Sequence, residues 1–356
     1  MTGSRALANV GPPSEENPAR LVDTLIELNE RRLLPGSAVL DTPEVVQSIW
    51  GQGHQSLWAA GEPLLICGPD GVGKTTLAQQ LALAISGIGE RVLLGLPVTS
   101  EEKRVLYLAC DRPAQARRSL RRMVQPSDRD LLDEQLVIWS GPLPFDLGRE
   151  PHGLRALAVR ASADAVVIDS LKDVAADLSR EETGVGLNAA LQEACAEGVD
   201  VVALHHQRKA QANAAKPKAL ADVYGSRWIV AGCGSVLMLW GDAGDPVIEL
   251  THLKQPDEPI GPLTIVHDHA TGRTTIAEIV DSYSVVLGAS GWVTVGEVAQ
   301  LVYGNTDRNS REKARRQLER MASEHKIHRQ VEGPSGQGGK AQVRYCRLSV
   351  VGNGVG

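Results

Sequence analysis

One glycine-rich segment of the sequence has the residue types and spacing needed to bind a phosphate chain. Residues 68–75 read Gly-Pro-Asp-Gly-Val-Gly-Lys-Thr, which fits the pattern G-x-x-x-x-G-K-[ST]. An apolar run typical of a strand precedes the segment, and a helical pattern follows it. Glycine lets the backbone curve closely around phosphate oxygens, and the following helix directs its positive end at them. This combination predicts that the chain binds a nucleoside triphosphate.

The side chains of this loop have expected parts in binding. Lys74 is expected to reach the β- and γ-phosphates, and Thr75 is expected to hold Mg²⁺. The predicted nucleotide-binding residues are Gly68, Pro69, Asp70, Gly71, Val72, Gly73, Lys74, Thr75 and Thr76. The predicted cofactors are ATP and Mg²⁺.

Two carboxylates follow apolar strand patterns elsewhere in the chain. Asp169 closes the run at 165–168 and is expected to order water around Mg²⁺, so Thr75 and Asp169 form the predicted metal site. Asp111 closes the run at 104–110 and could orient or deprotonate the attacking water. An alternative interpretation makes Asp111 the cap of a helix that starts at Pro113.

A side-chain amide and two imidazoles follow a further apolar run. Gln207 could sense the γ-phosphate and pass its presence to the polar, basic segment 208–223, although a strand-end polar group is the alternative interpretation. His205 and His206 are interpreted as structural, because no third ligand is spaced with them for a metal other than Mg²⁺. The predicted catalytic residues are therefore Lys74, Asp111, Asp169 and Gln207.

Composition limits the class of protein. The 356 residues are 42% hydrophobic, enough for one large α/β domain and a small one. The five cysteines lack C-x-x-C spacing, so neither a disulfide framework nor a zinc site is indicated. No apolar run is long enough to cross a membrane and the N-terminus lacks a signal-peptide pattern. We therefore expect a cytoplasmic protein without a membrane partner.

The elements that must position these residues alternate between short β-branched runs and longer helical patterns. That alternation predicts an α/β fold with a mostly parallel sheet covered on both faces. The predicted organisation is a disordered N-terminus (1–17), an ATPase domain with an N-terminal helix (18–280), a linker (281–290) and a small domain (291–350). The N-terminal helix could pack on its own core or on a neighbouring subunit. Trp50 and Trp58 are interpreted as core residues, with adenine stacking as the alternative.

Positive charge is concentrated near the C-terminus. The net charge is −6, but residues 304–356 hold eleven Lys or Arg and five Asp or Glu, so this segment is +6 and the remainder is −12. Two helical patterns and two strand patterns around a glycine-rich turn favour a winged-helix-like domain. We expect this domain and the 208–223 loop to contact DNA phosphates, although a solvated charged helix is the alternative. The predicted DNA-binding residues are Arg208, Lys209, Lys216, Lys218, Arg311, Arg315, Arg316, Lys340 and Arg344.

The order of these motifs resembles the RecA-like core of hexameric replicative helicases of the DnaB and RepA type. Residues 104–113 (RVLYLACDRP), 165–174 (AVVIDSLKDV) and 205–209 (HHQRK) resemble its strand-end motifs, and residues 254–261 (KQPDEPIG) resemble its K-Q-R-N-x-P-I-G segment. The resemblance covers about residues 60–270. It implies a hexamer, a loop for single-stranded DNA, and a cation that reaches the neighbouring subunit's ATP.

The sequence departs from that family at two positions. Asp111 stands where the family has Glu, and Pro256 stands where it has the finger arginine. Lys254 and Arg227 are the candidates to act across the subunit interface, although both could equally be surface charges. These departures predict slow hydrolysis.

Three functions are consistent with the sequence. The first is an ATP-hydrolysing DNA helicase acting in replication, which binds single-stranded DNA through the core. The second is an ATP-gated DNA-binding loader, recombination mediator or regulator that does not unwind DNA. The third is a small-molecule P-loop kinase, which leaves the basic C-terminal segment without a role.

Overall fold

The computed structural model describes residues 30–207, 216–277, 282–289, 291–303, 305–332 and 342–348. Arg208, Lys209 and Lys340 therefore lie outside the described residues, as do residues 1–29 and the glycine-rich turn predicted near the C-terminus. Two compact units are present, Met1–Gln47 and Ser48–Gly356. The second unit holds the predicted phosphate loop.

The described part of the chain is an α/β structure. The strands are β1 (Ser48–Gln52), β2 (Gln55–Ala59), β3 (Leu64–Gly68), β4 (Val92–Leu93), β5 (Leu96–Pro97), β6 (Val105–Ala109), β7 (Leu136–Ser140), β8 (Ala165–Asp169), β9 (Asp200–His206), β10 (Ser235–Trp240), β11 (Val247–Lys254), β12 (Leu263–Asp268), β13 (Arg273–Ile276), β14 (Val293–Thr294), β15 (His328–Glu332) and β16 (Gln342–Cys346). The α-helices are α1 (Lys74–Ile85), α2 (Pro113–Met123), α3 (Arg129–Gln135), α4 (His152–Ala161), α5 (Leu171–Val174), α6 (Glu181–Ala196), α7 (Trp228–Ala231), α8 (Ser282–Gly288), α9 (Val295–Tyr303) and α10 (Arg308–Ser323).

Nine strands form the central sheet, in the order β13-β12-β11-β10-β3-β9-β8-β6-β7. The six strands from β10 to β7 are parallel, and β11 to β13 continue the sheet in antiparallel fashion. The phosphate-loop strand β3 is separated from β8, which carries Asp169, by β9. This order is that of a RecA-like P-loop core, so the predicted fold class is confirmed.

The register of the parallel strands brings the functional positions to one edge of the sheet. Gly68 pairs with His206, and Ala109 pairs with Asp169. Because parallel strands present their carboxyl ends at the same edge, residues that follow different strands converge there. The phosphate loop and the two strand-end carboxylates therefore share one side of the molecule.

Hydrophobic cores cover both faces of the sheet, which explains the uninterrupted apolar character of its central strands. One core contains the β1–β2 hairpin, whose Trp50 and Trp58 are fully buried. The indole of Trp50 donates to the carbonyl of Leu93, and that of Trp58 donates to the carbonyl of Glu62, each at 2.9 Å. The interpretation of both tryptophans as core residues is confirmed.

The prediction of a helix over residues 18–34 is wrong at its described end. Glu30–Arg32 is a single 3₁₀ turn, and Leu33 and Leu34 are about three-quarters exposed. Pro35 follows directly, and proline disfavours the helical conformation in the residue before it. Residues 18–29 of the predicted helix lie outside the described residues.

The segment predicted as a linker over 281–290 contains helix α8. Val286 of this helix is fully buried in a separate core with Val298, Leu318 and Tyr345. Apolar contacts with α9 and α10 therefore give the segment a packed position. The predicted domain bounds themselves stay a prediction.

Helices α9 and α10 and strands β15 and β16 follow one another in the predicted order, and the short strand β14 precedes them. Strands β14, β16 and β15 form an antiparallel sheet beside α9 and α10. Thr294 and Glu297 form a capping box at the start of α9, since the Thr294 amide donates to Glu297 Oε2 at 2.7 Å and the Glu297 amide donates to Thr294 Oγ1 at 3.2 Å. No described helix combines the length and apolar composition that a bilayer span needs.

Candidate functional site

The phosphate loop bends sharply between β3 and α1. Gly71 and Gly73 have φ angles of 76° and 86°, which side chains other than glycine rarely adopt. A Cβ atom at Gly73 would overlap the imidazole of His267, and one at Gly71 would approach Ala243 to 2.9 Å. Glycine at these two positions therefore allows the positive φ angles of the turn. It also leaves room for His267 and Ala243 to pack against the loop.

Lys74 occupies the first turn of α1 and is almost completely buried. Its ammonium group donates to the carbonyl oxygens of Gly68 at 2.8 Å and Pro69 at 2.6 Å, which directs it along the concave side of the loop. Burial lowers the pKa of Lys74 to about 8, although the charges of Asp70 and Asp169 oppose that change. A buried cation with only carbonyl partners is suited to receive phosphate oxygens.

Asp169 is held at the end of β8 by two hydroxyl groups. Thr75 Oγ1 donates to its carboxylate at 3.1 Å, and the hydroxyl of Tyr107 donates at 2.8 Å. Burial raises the pKa of Asp169 above its ordinary value, while the two hydrogen bonds oppose that increase. Sequence reasoning missed Tyr107, because a tyrosine within an apolar strand pattern gives no sign of its partner.

This donor set fits Mg²⁺. A hydroxyl and a carboxylate are oxygen ligands of the kind that Mg²⁺ prefers, and Thr75 and Asp169 face each other at hydrogen-bond distance. Within the described residues, no group of three His, Cys, Asp or Glu side chains is arranged to hold a metal ion. When bound here, Mg²⁺ would neutralise charge on the β- and γ-phosphates.

Asp111 lies two residues after the end of β6, at the edge of the sheet that carries the phosphate loop. Lys172 Nζ lies 3.4 Å from its carboxylate and Arg112 Nε lies 3.8 Å from it. Helix α2 has Arg112 at its N-cap position. The alternative interpretation of Asp111 as the helix cap is therefore wrong.

Gln207 connects the phosphate loop to the chain segment that follows residues 208–215. Its main-chain N–H group donates to the carbonyl of Gly68 at 2.9 Å. Its side chain donates to the carbonyl of Asp222 at 2.9 Å and accepts from the amide of Tyr224 at 2.7 Å. The residue is thus bonded to both segments that its predicted sensing role would have to couple.

The two histidines before Gln207 have different surroundings. His205 is buried, donates to the carbonyl of Tyr224 at 2.6 Å and stacks on that residue's ring. Burial lowers its pKa to about 4, so it is neutral at pH 7, and its structural interpretation is confirmed. His206 is partly exposed and hydrogen-bonds Asp70 of the phosphate loop, a contact that sequence reasoning missed.

A cavity of about 580 Å³ is lined by Asp70, Lys74, Thr75, Asp111, Asp169 and His206, among others. One wall is the β12–β13 hairpin, where buried His267 donates to the carbonyl of Val72 at 3.1 Å and accepts from Thr274 Oγ1 at 2.8 Å. Gln80 of α1 exchanges two hydrogen bonds with Thr274, at 2.7 and 2.8 Å. Another wall is the face of α2 that carries Gln115, Arg118, Ser119 and Arg122. Sequence reasoning assigned no role to either wall.

The two candidates to act across a subunit interface, Lys254 and Arg227, are not among the residues that line this cavity. Lys254 Nζ donates to the carbonyl of Ala231 at 2.9 Å. The guanidinium of Arg227 lies 5.5 Å from the ring centre of Trp228. Both side chains therefore make contacts within their own chain.

The predicted DNA-binding residues occupy several elements. Lys216 forms an ion pair with Glu249, and Lys218 donates its amide to Asp222 at 2.8 Å. Helix α10 carries Arg311, Arg315 and Arg316, and the last two pair with Glu312 of the same helix. Arg344 lies on β16, where its guanidinium is 3.4 Å from Gln342 Oε1. Glu312 therefore offsets part of the positive charge of α10.

ATP affinity should decrease as the pH rises above about 8. Phosphate oxygens stabilise the charged form of Lys74, so affinity is complete below that pKa and falls by up to about tenfold per pH unit above it. Titrating a fluorescent ATP analogue between about pH 7 and 9.5 measures the effect. The Lys74→Arg variant stays charged and should bind with a flat profile. If the wild-type profile were equally flat, Lys74 would not be the group whose charge supports ATP binding.

Comparison with known proteins places this site in a wider context. A profile described as the AAA domain matches residues 28–212, slightly more than half of the chain. No curated protein matches the chain at a significant level. Similar solved structures include a KaiC-like protein from the hyperthermophilic archaeon Pyrococcus horikoshii OT3. It is 14% identical, with 68% of this chain and 95% of that chain covered and a TM-score of 0.45.

Proposed function

Since this chain belongs to the AAA domain family, whose profile spans residues 28–212, we propose that it is an ATP-hydrolysing DNA motor, a RecA-like hexameric DNA helicase that acts in replication in the cytoplasm. The general class, a RecA-like P-loop ATPase, follows from the family and from the order of strands in the sheet. ATP and Mg²⁺ are its proposed ligands, held by the phosphate loop, Thr75 and Asp169.

The observation that carries the motor proposal is the set of three hydrogen bonds made by Gln207. The main chain of this residue contacts the phosphate loop at Gly68, while its side chain contacts Asp222 and Tyr224. The segment between Gln207 and Asp222 has four Lys or Arg and no Asp or Glu. A change at the γ-phosphate could therefore be passed to a basic segment through one residue.

The C-terminal module supports a DNA partner. Helix α10 holds six Lys or Arg side chains, and the strands beside it form a small antiparallel sheet, which is compatible with a winged helix. Single-stranded DNA would pass through the core of the ring, and this module would bind duplex DNA or recruit the ring to it. Contacts of this kind need only phosphate, so no sequence preference follows from them.

Single-stranded DNA should increase the ATPase rate of the wild type, and the Gln207→Ala variant should lose most of that increase. Both side-chain bonds to Asp222 and Tyr224 disappear in the variant, whereas the phosphate loop keeps its other contacts. A coupling of ordinary strength corresponds to about 5-fold or more in rate. Steady-state hydrolysis with and without a polydeoxythymidine strand measures it.

The Gln192→Ala variant provides a matched control. Gln192 also donates to a backbone carbonyl, that of Gly232, but it does not line the nucleotide cavity. It should keep wild-type stimulation. Equal stimulation in the wild type and the Gln207→Ala variant would contradict the coupling role.

The alternative is an ATP-gated loader or mediator that binds DNA without unwinding it. Two observations favour it: Pro256 replaces the finger arginine, and Asp111 is already paired with Lys172. Mass measurement with and without ATP, combined with strand displacement from a forked duplex, separates the two functions. An ATP-hydrolysing ring that displaces no strand would exclude the motor, and hydrolysis indifferent to any DNA would exclude both.

A further inference from the structure

Lys172 is a lysine in the nucleotide cavity that no predicted role uses. It lies three residues after Asp169, and its ammonium group is 3.4 Å from the carboxylate of Asp111. The cavity that holds Lys74, Thr75 and Asp169 includes it among its lining residues. Its side chain is 40% exposed, so it can move toward a phosphate without breaking a packed core.

The short helix α5 fixes the direction of this lysine. Leu171 and Val174 are buried in the core beneath the sheet, which turns the intervening Lys172 toward the cavity. Ser170 and Asp173 form a capping box at the start of the helix, with Ser170 Oγ donating to Asp173 at 2.7 Å. The ammonium group is therefore carried by a short, anchored segment that begins at the metal-site carboxylate.

The charge of Lys172 acts on the groups that surround the phosphate loop. Burial lowers the pKa of Lys74, and the positive charge of Lys172 lowers it further. The same charge helps to lower the pKa of Asp70, at the tip of the loop. Lys172 lines the same cavity as Asp70, Lys74 and Asp111, so its charge acts where phosphate oxygens would bind.

We propose that Lys172 is the cation that stabilises the transferring γ-phosphoryl group, and that it acts within its own subunit. The proposal rests on the proposed ATP hydrolysis and adds the residue that takes the place of the family's finger arginine. In this role Lys172 leaves Asp111 for the γ-phosphate when ATP binds. The same movement frees the Asp111 carboxylate to receive a proton.

The chemical step balances without any further reactant. The oxygen of a water molecule forms a bond to the γ-phosphorus, and the bond from that phosphorus to the β,γ-bridging oxygen breaks, with its electron pair leaving on ADP. Asp111 accepts the proton that the water loses. Lys172 and Lys74 contact the oxygens of the transferring group, where negative charge is spread in the transition state.

Other cations of the cavity are less well placed for this role. Arg112 also approaches Asp111, but its side chain is 71% exposed and it lies 3.8 Å away. Arg118 and Arg122 line the cavity from positions further along α2. Lys172 alone among these described cations follows the strand that carries Asp169.

The Lys172→Met variant should hydrolyse ATP about 100-fold more slowly than the wild type while binding ADP with an affinity within about threefold of it. The affinity for ADP with orthovanadate, which imitates the transferring group, should fall by about the same 100-fold. Lys172→Arg keeps the charge and should recover most of both losses. Arg117→Gln, a surface change outside the cavity, should match the wild type.

Three results would overturn the proposal. Unchanged vanadate affinity in Lys172→Met would show that Lys172 does not contact the transferring group. Faster hydrolysis would show that it only restrains Asp111. Recovered activity on mixing Lys172→Met with Lys74→Ala subunits would show that the lysine acts on a neighbour. Folding of each variant is checked by thermal unfolding, and a wild type that binds no nucleotide would refute the proposed function itself rather than this assignment.

Discussion

Replacing Lys74 with alanine should reduce ATP turnover more than about 100-fold, because the variant loses both a phosphate contact and a buried positive charge. The ammonium group points along the concave side of the loop and has two carbonyl partners there. No other described lysine or arginine lies in the first turn of α1. Steady-state phosphate release, measured at saturating ATP and Mg²⁺, is the test.

The fold of this variant should survive. The pKa of Lys74 is depressed to about 8 by burial, so at pH 7 the folded state carries a buried charge that the unfolded state leaves in water. Removing the side chain relieves that cost, and the unfolding temperature without nucleotide should stay within about 5 °C of the wild type. ATP should raise the unfolding temperature of the wild type only. Retained turnover in Lys74→Ala would overturn the assignment of the phosphate loop.

Much of the site could be predicted because its chemistry is local in sequence. The phosphate loop is one continuous segment, Asp169 directly follows one apolar run, and Gln207 follows another after two histidines. Parallel strands must present their carboxyl ends at one edge, so these residues could be expected to converge without knowledge of strand order. The structure adds the register that sets Gly68 beside His206.

The two walls of the cavity could not be predicted, because they depend on contacts between distant parts of the chain. Gln80 and Thr274 are 194 positions apart, and Lys172 and Asp111 are 61 apart. Nothing in the local pattern around His267 indicates that its imidazole lies against Gly73. The β12–β13 hairpin is placed there by three successive antiparallel pairings from β10 to β13.

The β1–β2 hairpin and helix α8 were not predicted, and the reason is related. Polar and glycine-rich residues around Trp50 and Trp58 concealed the β1–β2 hairpin, whose stability depends on burying both indoles in the main core. The predicted linker likewise contains Val285 and Val286, and only contacts with α9 and α10 make a helix of it. In both cases tertiary packing decided the structure of a segment with weak local preferences.

The Asp169→Asn variant should lose turnover by more than about 100-fold while it still binds ATP, because an amide keeps the shape of the carboxylate but not its charge. The amide oxygen can still accept from Tyr107 and Thr75, which hold Asp169 now. Burial raises the pKa of Asp169, so the ionised form costs stability at neutral pH, and the neutral asparagine should unfold at an equal or higher temperature. Loss of turnover would therefore not reflect unfolding.

The Tyr107→Phe variant separates the charge of Asp169 from its orientation. It keeps the carboxylate and removes one of the two hydrogen bonds that lower the pKa of Asp169. Activity requires the ionised carboxylate and is lost as the pH falls through its pKa, so the acid limb of the pH–rate profile should move to higher pH. Turnover at pH 8 should fall less than about tenfold. An unmoved acid limb, or a loss in Tyr107→Phe as large as that in Asp169→Asn, would show that the carboxylate is not the group whose charge supports the reaction.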